Sequence, residues 1–253
     1  MHRISESKTS SKHRHALLVS HSAARRVSGV GVRPSRRTQQ SLETRGRILD
    51  CAEELFARNG VDGVTLRDIA GFAEVDTALL HYYFDDKNGI LDAVLARRGA
   101  ILHHAVIEAL SQYEREAGED VTPEGTLRAY LQPFFSLGRK GGKAWQNYCS
   151  LFLQLGSSSD WGAEAVVNYF DPVARRLMEV MRKALPGTSE ADLCWCHLML
   201  ARTITLSFAR DDRVKRFSGG ACRAGDLDAL EPRMVAFAAA GFRAVCGRKA
   251  RKN

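Results

Sequence analysis

The chain has 253 residues, with 37 Lys and Arg against 29 Asp and Glu, and a formal net charge of +8. An apolar fraction of 45% is enough to fill the core of one large domain or two modest ones and excludes a wholly disordered chain. No apolar run approaches the ~18 residues needed to cross a bilayer, so no transmembrane helix or membrane partner is expected. The six cysteines show no paired spacing and predict free thiols in a reducing compartment.

Residues 1–40 hold nine basic residues and one acid, and the last six residues hold four more basic ones. Residues 41–247 are therefore left with 24 basic and 28 acidic groups, and the positive charge lies at the two ends. Residues 1–40 have the low hydrophobicity and high charge of a disordered extension. The same Arg- and Ser-rich composition also describes an organellar transit peptide, and a start assigned too far upstream is a further explanation. The only apolar core there, from Ala16 to Val19, is shorter than the ~7 residues of a secretory signal. Residues 248–253 form a basic tail.

From Leu42 to Cys246 apolar residues recur at three- and four-residue steps, and no stretch alternates with period two, so the fold class is all-α. A first helix is expected over 41–59, with Ile48, Ala52, Leu55 and Phe56 on one face and Gly60 as its stop. Thr65 with Asp68 three positions on resembles a capping box and starts a short helix ending near Phe72. Asp76 is the N-cap of a third helix from Thr77 to Tyr83, with Leu80 and Phe84 turned to one side. A fourth helix begins at Asp86 and continues past Gly99 to about Glu116. Five more are expected at about 122–138, 143–155, 162–185, 189–210 and 228–246, with a restart or kink at Asp171-Pro172 and a long mobile break over 211–226.

Two short helices joined by a tight turn, the second presenting small and polar groups, fit a major groove about 12 Å wide. Here the outward positions of the third helix are Thr77, Ala78, Leu79, His81 and Tyr82. Small side chains near its start let the backbone approach base edges, and His81, Tyr82, Arg67 and Lys87 can reach phosphates or bases. On spacing alone, the same residues also describe an ordinary helical corner.

Residues 45–91, RGRILDCAEELFARNGVDGVTLRDIAGFAEVDTALLHYYFDDKNGIL, resemble the DNA-binding domain of TetR/AcrR-type transcriptional regulators. Ile48, Ala52, Leu55, Phe56, Gly60, Thr65, Arg67, Ile69, Ala70, Val75, Tyr83, Phe84, Lys87 and Leu91 all fall on that family's pattern. The resemblance implies a three-helix helix-turn-helix domain over 41–98 that binds a double-stranded DNA operator. It makes the third helix the recognition helix, sets Lys87 against a phosphate at the start of the fourth, and places Thr65 and Arg67 beside the groove. It also implies a cytoplasmic, nucleoid-associated bacterial protein. Departures are His81 for a usual tyrosine, Glu74 for a common glycine, Asp76 for Ser or Asn, and Thr77 for Lys or Arg. Residues 44–98 carry seven basic and ten acidic groups, so net charge alone does not reveal the module.

In that family the remaining helices bind a small effector and dimerise through the last two, which assigns 99–247 here to a helical effector-binding and dimerisation domain. Val235, Ala238, Ala239, Phe242 and Val245 form an apolar face suited to a homodimer, unless they are buried within one subunit. The stretches NYFDPVARRLMEVMRKALPG and RVKRFSGG also look like a branch with fatty-acid-responsive members, so acyl-CoA or an aromatic acid is an expected effector class. Trp145, Tyr148, Phe152, Met178, Met181, Trp195 and Met199 are the pocket candidates, although such a stripe also describes plain core. The expected output is repression relieved by the effector; the alternatives are control by a protein partner, or a helical ligand carrier or enzyme, which the lack of a catalytic constellation disfavours. Cys194 and Cys196 point about 200° apart on a helix and cannot share one ion. No catalytic constellation is present, so no metal, no cofactor and no enzymatic activity are expected.

Overall fold

The computed structural model describes residues 35–155, 160–208, 213–223 and 225–247, without the side chains of 150, 152–155, 160–170, 205 and 206. Among the described residues the secondary structure is helical, in ten segments. The expected extension 1–40 and the basic tail 248–253 lie outside the described residues, except that the first helix, α1 (Arg36–Asn59), begins five residues earlier than its periodicity predicts. Gly60 ends it with φ of 75°, a conformation natural to glycine, and donates its N–H to the carbonyl of Phe56.

Helices α2 (Leu66–Phe72) and α3 (Thr77–Phe84) follow, each started by a side-chain cap. Ile48, Ala52 and Phe56 of α1, Ile69 and Ala70 of α2, and Leu80 and Phe84 of α3 are all buried in one core. Asp86 then caps α4 (Lys87–Ala117), its carboxylate accepting from Gly89 N at 2.8 Å. Residue 99, the expected start of the second domain, lies inside this uninterrupted helix.

The remaining segments are α5 (Pro123–Lys140), α6 (Gly142–Leu155), α7 (Asp160–Ala184), α8 (Glu190–Ser207), α9 (Arg213–Phe217) and α10 (Leu227–Cys246). Helix α5 lies against α4, α6, α7 and α10, while α8 packs on α10 and α6. Ion pairs reinforce these contacts, including Arg139 of α5 with Glu231 of α10 at 2.8 Å and Lys183 of α7 with Glu114 of α4 at 2.7 Å. Asp171-Pro172 does not break α7, and α9 lies in the stretch expected to be a plain loop. No described helix is long and apolar enough to cross a membrane.

Candidate nucleic-acid interface

The start of α2 is built by four atoms of two residues. Thr65 Oγ1 accepts from Asp68 N at 3.2 Å and donates to Asp68 Oδ2 at 2.6 Å, while Thr65 N donates to the same carboxylate oxygen at 2.8 Å. The Thr65 hydroxyl and amide together hold the Asp68 carboxyl below its ordinary pKa. Asp76 does the same work for α3, accepting from Ala78 N at 2.7 Å. An acid that phosphate would repel is thus kept at this position by its role as a cap.

Thr65, Arg67, Thr77, His81 and Lys87 line one open cleft of about 700 Å³, together with Asp62, Val64 and Leu66. The cleft therefore gathers five of the eight residues expected to contact DNA. Of the other three, Ala78 is exposed and Leu79 half-buried, while Tyr82 is 79% exposed and packs edge-on against Tyr83 with ring centroids 5.2 Å apart. Asp62 has no sequence signal for this position, since it enters only because the turn after α1 folds beside α2.

Two of the expected phosphate contacts are more constrained than the sequence implies. The Lys87 ammonium donates to the carbonyls of Val61 at 2.9 Å and Val64 at 3.1 Å, so two of its three donors hold the turn before α2 and one remains for a ligand. His81 Nδ1 lies 2.6 Å from the carbonyl oxygen of Asp85 and must donate to it. A neutral ring then offers only an acceptor at Nε2, and only the imidazolium can donate to a phosphate there.

Turn geometry accounts for the glycine that is common at one position where this chain departs from the family pattern. Glu74 sits between α2 and α3 with φ of 51°, and its N–H reaches the carbonyl of Gly71 at 3.3 Å. That left-handed conformation is the reason a glycine is common here.

The two site predictions for the second domain need correction. Helix α8 buries Leu193, Cys196, Leu200 and Ile204, which turns Trp195 and Met199 outward at 63% and 55% exposure. They cannot line a cavity with the buried Trp145, Tyr148 and Met181, nor with the half-buried Met178. Phe152 lies outside the described side chains. On α10, Val235, Ala238, Ala239 and Phe242 are buried against the same chain and Val245 half-buried, so this stripe is mainly intrachain core. Phe237, 74% exposed, borders with Met199, Thr203 and Gly241 a groove between α8 and α10 of about 100 Å³, whose lining also includes Ala238 and Phe242 of the predicted stripe. Leu198 is exposed on α8 as well.

The chain matches two family models, bacterial regulatory proteins of the tetR family over residues 48–94 and the tetracyclin repressor-like C-terminal domain over residues 128–241. The chain belongs to the TetR family of DNA-binding transcriptional regulators. Among its TetR relatives, the HTH-type transcriptional regulator TtgR of Pseudomonas putida is 31% identical over 102 residues, 40% of this chain and 46% of that protein. The chain spans about half the length of the curated relatives it matches.

Solved TetR-like structures share the fold over more of its length. The hemolysin II transcriptional regulator HlyIIR superposes with a TM-score of 0.52 at 17% identity, covering 78% of this chain and 97% of that one. FadR from Bacillus subtilis, solved in complex with stearoyl-CoA, gives 0.52 at 18% identity, covering 78% and 98%.

Proposed function

We propose that this TetR-family chain is a homodimeric repressor that binds a palindromic operator through α2 and α3 and releases it when a small organic effector occupies the helical bundle. The observation that carries the DNA reading is the cleft at α2 and α3, where two capped helix starts, Arg67 and Lys87 converge beside an exposed Tyr82. A mobility shift with the DNA flanking its own gene tests it. Salt-sensitive, sequence-selective binding is expected, and its absence overturns the reading.

Residues 41–98 are the proposed DNA-binding domain and 99–247 the proposed effector and dimer domain, with the shared helix α4 joining them. The proposed dimer surface is the outward apolar face of α8 and α10 around Trp195, Met199 and Phe237. Buried Trp145, Tyr148 and Met181 and half-buried Met178 are of a kind to suit an apolar effector, and the stearoyl-CoA held by FadR favours acyl-CoA over aromatic acids. Linkage requires effector and DNA to weaken each other by one factor, roughly 5- to 150-fold for a coupling of ~1 to 3 kcal/mol. The basic ends, 1–40 and 248–253, add non-specific affinity in this scheme, and the protein is cytoplasmic.

A further inference from the structure

Helix α1 is tied to α4 through a carboxylate that water hardly reaches. Glu53 of α1 is 2% exposed, and its Oε2 accepts from Arg97 Nη2 at 2.9 Å and from Arg98 Nε at 2.7 Å. Arg97 also pairs with Asp50 Oδ1 at 2.8 Å. A buried carboxylate keeps its charge only while it is paired and hydrogen-bonded, so these arginines are held in place.

The guanidinium of Arg98 has a second neighbour. Its central carbon lies 5.8 Å from the ring centroid of Trp145 on α6, within the reach of a cation–π attraction. Trp145 is buried and packs edge-on against Tyr148 with centroids 5.5 Å apart. It also abuts Gly141, where an added Cβ would fall 1.6 Å from the indole Cδ1. The ring is thus confined by backbone, by Tyr148 and by Arg98. Two residues before it, Lys143 Nζ donates to Glu54 Oε1 at 2.7 Å, so the first turn of α6 meets α1 at adjacent acids.

We infer that Arg98 is a positioning residue that transmits displacement of the Trp145–Tyr148 pair to α1 and thereby to the recognition helix, an inference that rests on the regulator reading above. A guanidinium is a rigid plane, able to hold a carboxylate with one edge while a ring packs on its face. If the indole shifts, the plane must tilt, and the bond to Glu53 survives only if α1 or α4 follows. Lysine offers the charge without the plane. Neither Glu53 nor Arg98 faces the DNA cleft or has a sequence motif that marks it.

Coupling is reciprocal, so DNA itself serves as the probe. In the full chain with Trp161→Phe and Trp195→Phe, Trp145 is the sole tryptophan, and its emission is followed as a duplex selected by the protein from a random library is added. A shift of the emission maximum on DNA binding is expected in this parent. Adding Arg98→Lys should abolish the shift while duplex affinity stays within about fivefold, below the smallest usual coupling factor. A wild-type chain that selects no duplex overturns the regulator reading and this inference with it. Should Trp195→Phe alone cost duplex binding, Trp195 is kept and its exposed ring is silenced with iodide. A parent that binds without a shift, or an Arg98→Lys variant that retains the shift, overturns the inference alone. A variant that loses the duplex altogether would make Arg98 a structural prop and also overturn it.

Discussion

The faces of α2 with α3 and of α8 with α10 both leave conspicuous side chains outside, and they do so with opposite chemistry. On the first, Tyr82 and Phe72 are exposed, but the groups at the cleft are mainly small or polar and several are tied to the backbone: Thr65 and Asp76 cap helices, and His81 is held by the carbonyl of Asp85. On the second, Trp195, Leu198, Met199 and Phe237 stand out with large apolar surfaces. Polar groups fixed before binding suit a hydrated polyanion, since they lose little freedom on meeting it. A cluster of large apolar side chains suits a protein surface of its own kind, where burial is the driving force. The contrast fits the proposed roles, one face for DNA and one for a second copy.

The sharpest way to break this contrast is to charge the apolar face. Phe237→Glu should convert the dimer to a monomer, because a two-fold interface meets each substitution twice and a buried aromatic anchor contributes ~2 to 4 kcal/mol per copy. Sedimentation should show the halved mass, and operator binding should be lost with it. Val235→Ala, on the buried stripe of the same helix, should lower Tm and leave the mass unchanged. A Phe237→Glu protein that remained dimeric would move the interface elsewhere.

A smaller effect separates two basic residues of the DNA face. Arg67→Ala should weaken binding to all duplexes and reduce the salt slope by about 1, with stability altered by no more than ~0.5 kcal/mol. Lys87→Ala should also weaken all binding, but it releases the carbonyls of Val61 and Val64 and should cost about 2 kcal/mol of folding stability besides. Urea denaturation beside fluorescence anisotropy distinguishes the two. Equal stability for both variants would mean that the Lys87 bonds hold nothing in place.

The two faces were not equally legible in the sequence. Caps act over three residues, so Thr65 with Asp68, Asp76 and Asp86 could be read as helix starts and all serve as such. Which side of a helix is buried is decided by what packs on it. Helix α8 carries apolar residues nearly all round, from Leu193 and Trp195 through Cys196, Leu198 and Met199 to Leu200, and its pattern cannot say that 193, 196 and 200 face inward. Helix α10 has a clear stripe, but a stripe that packs on its own chain reads the same as one that packs on a partner. The Glu53 cluster joins residues 44 and 45 positions apart, and no local pattern records that encounter.

The subtlest test returns to the turn between α2 and α3, where the DNA face departs from the glycine common in the TetR family. Holding Glu74 at φ of 51° costs roughly 1 to 2 kcal/mol relative to glycine, whereas glycine gives back about 0.4 to 1 kcal/mol through the greater freedom of its unfolded chain. The Glu74 side chain is exposed, and the turn's bond to Gly71 uses the backbone N–H, so little packing is lost with the side chain. Glu74→Gly should therefore stabilise the fold by about 0.5 to 1 kcal/mol, seen as a higher urea midpoint with an unchanged slope. Removing an acid near the DNA face should also raise affinity slightly for all duplexes. Glu74→Ala separates the two causes, because alanine removes the charge and keeps the strained backbone. It should raise DNA affinity as glycine does without raising the midpoint, and equal stabilisation by both would trace the effect to charge instead of to the left-handed turn.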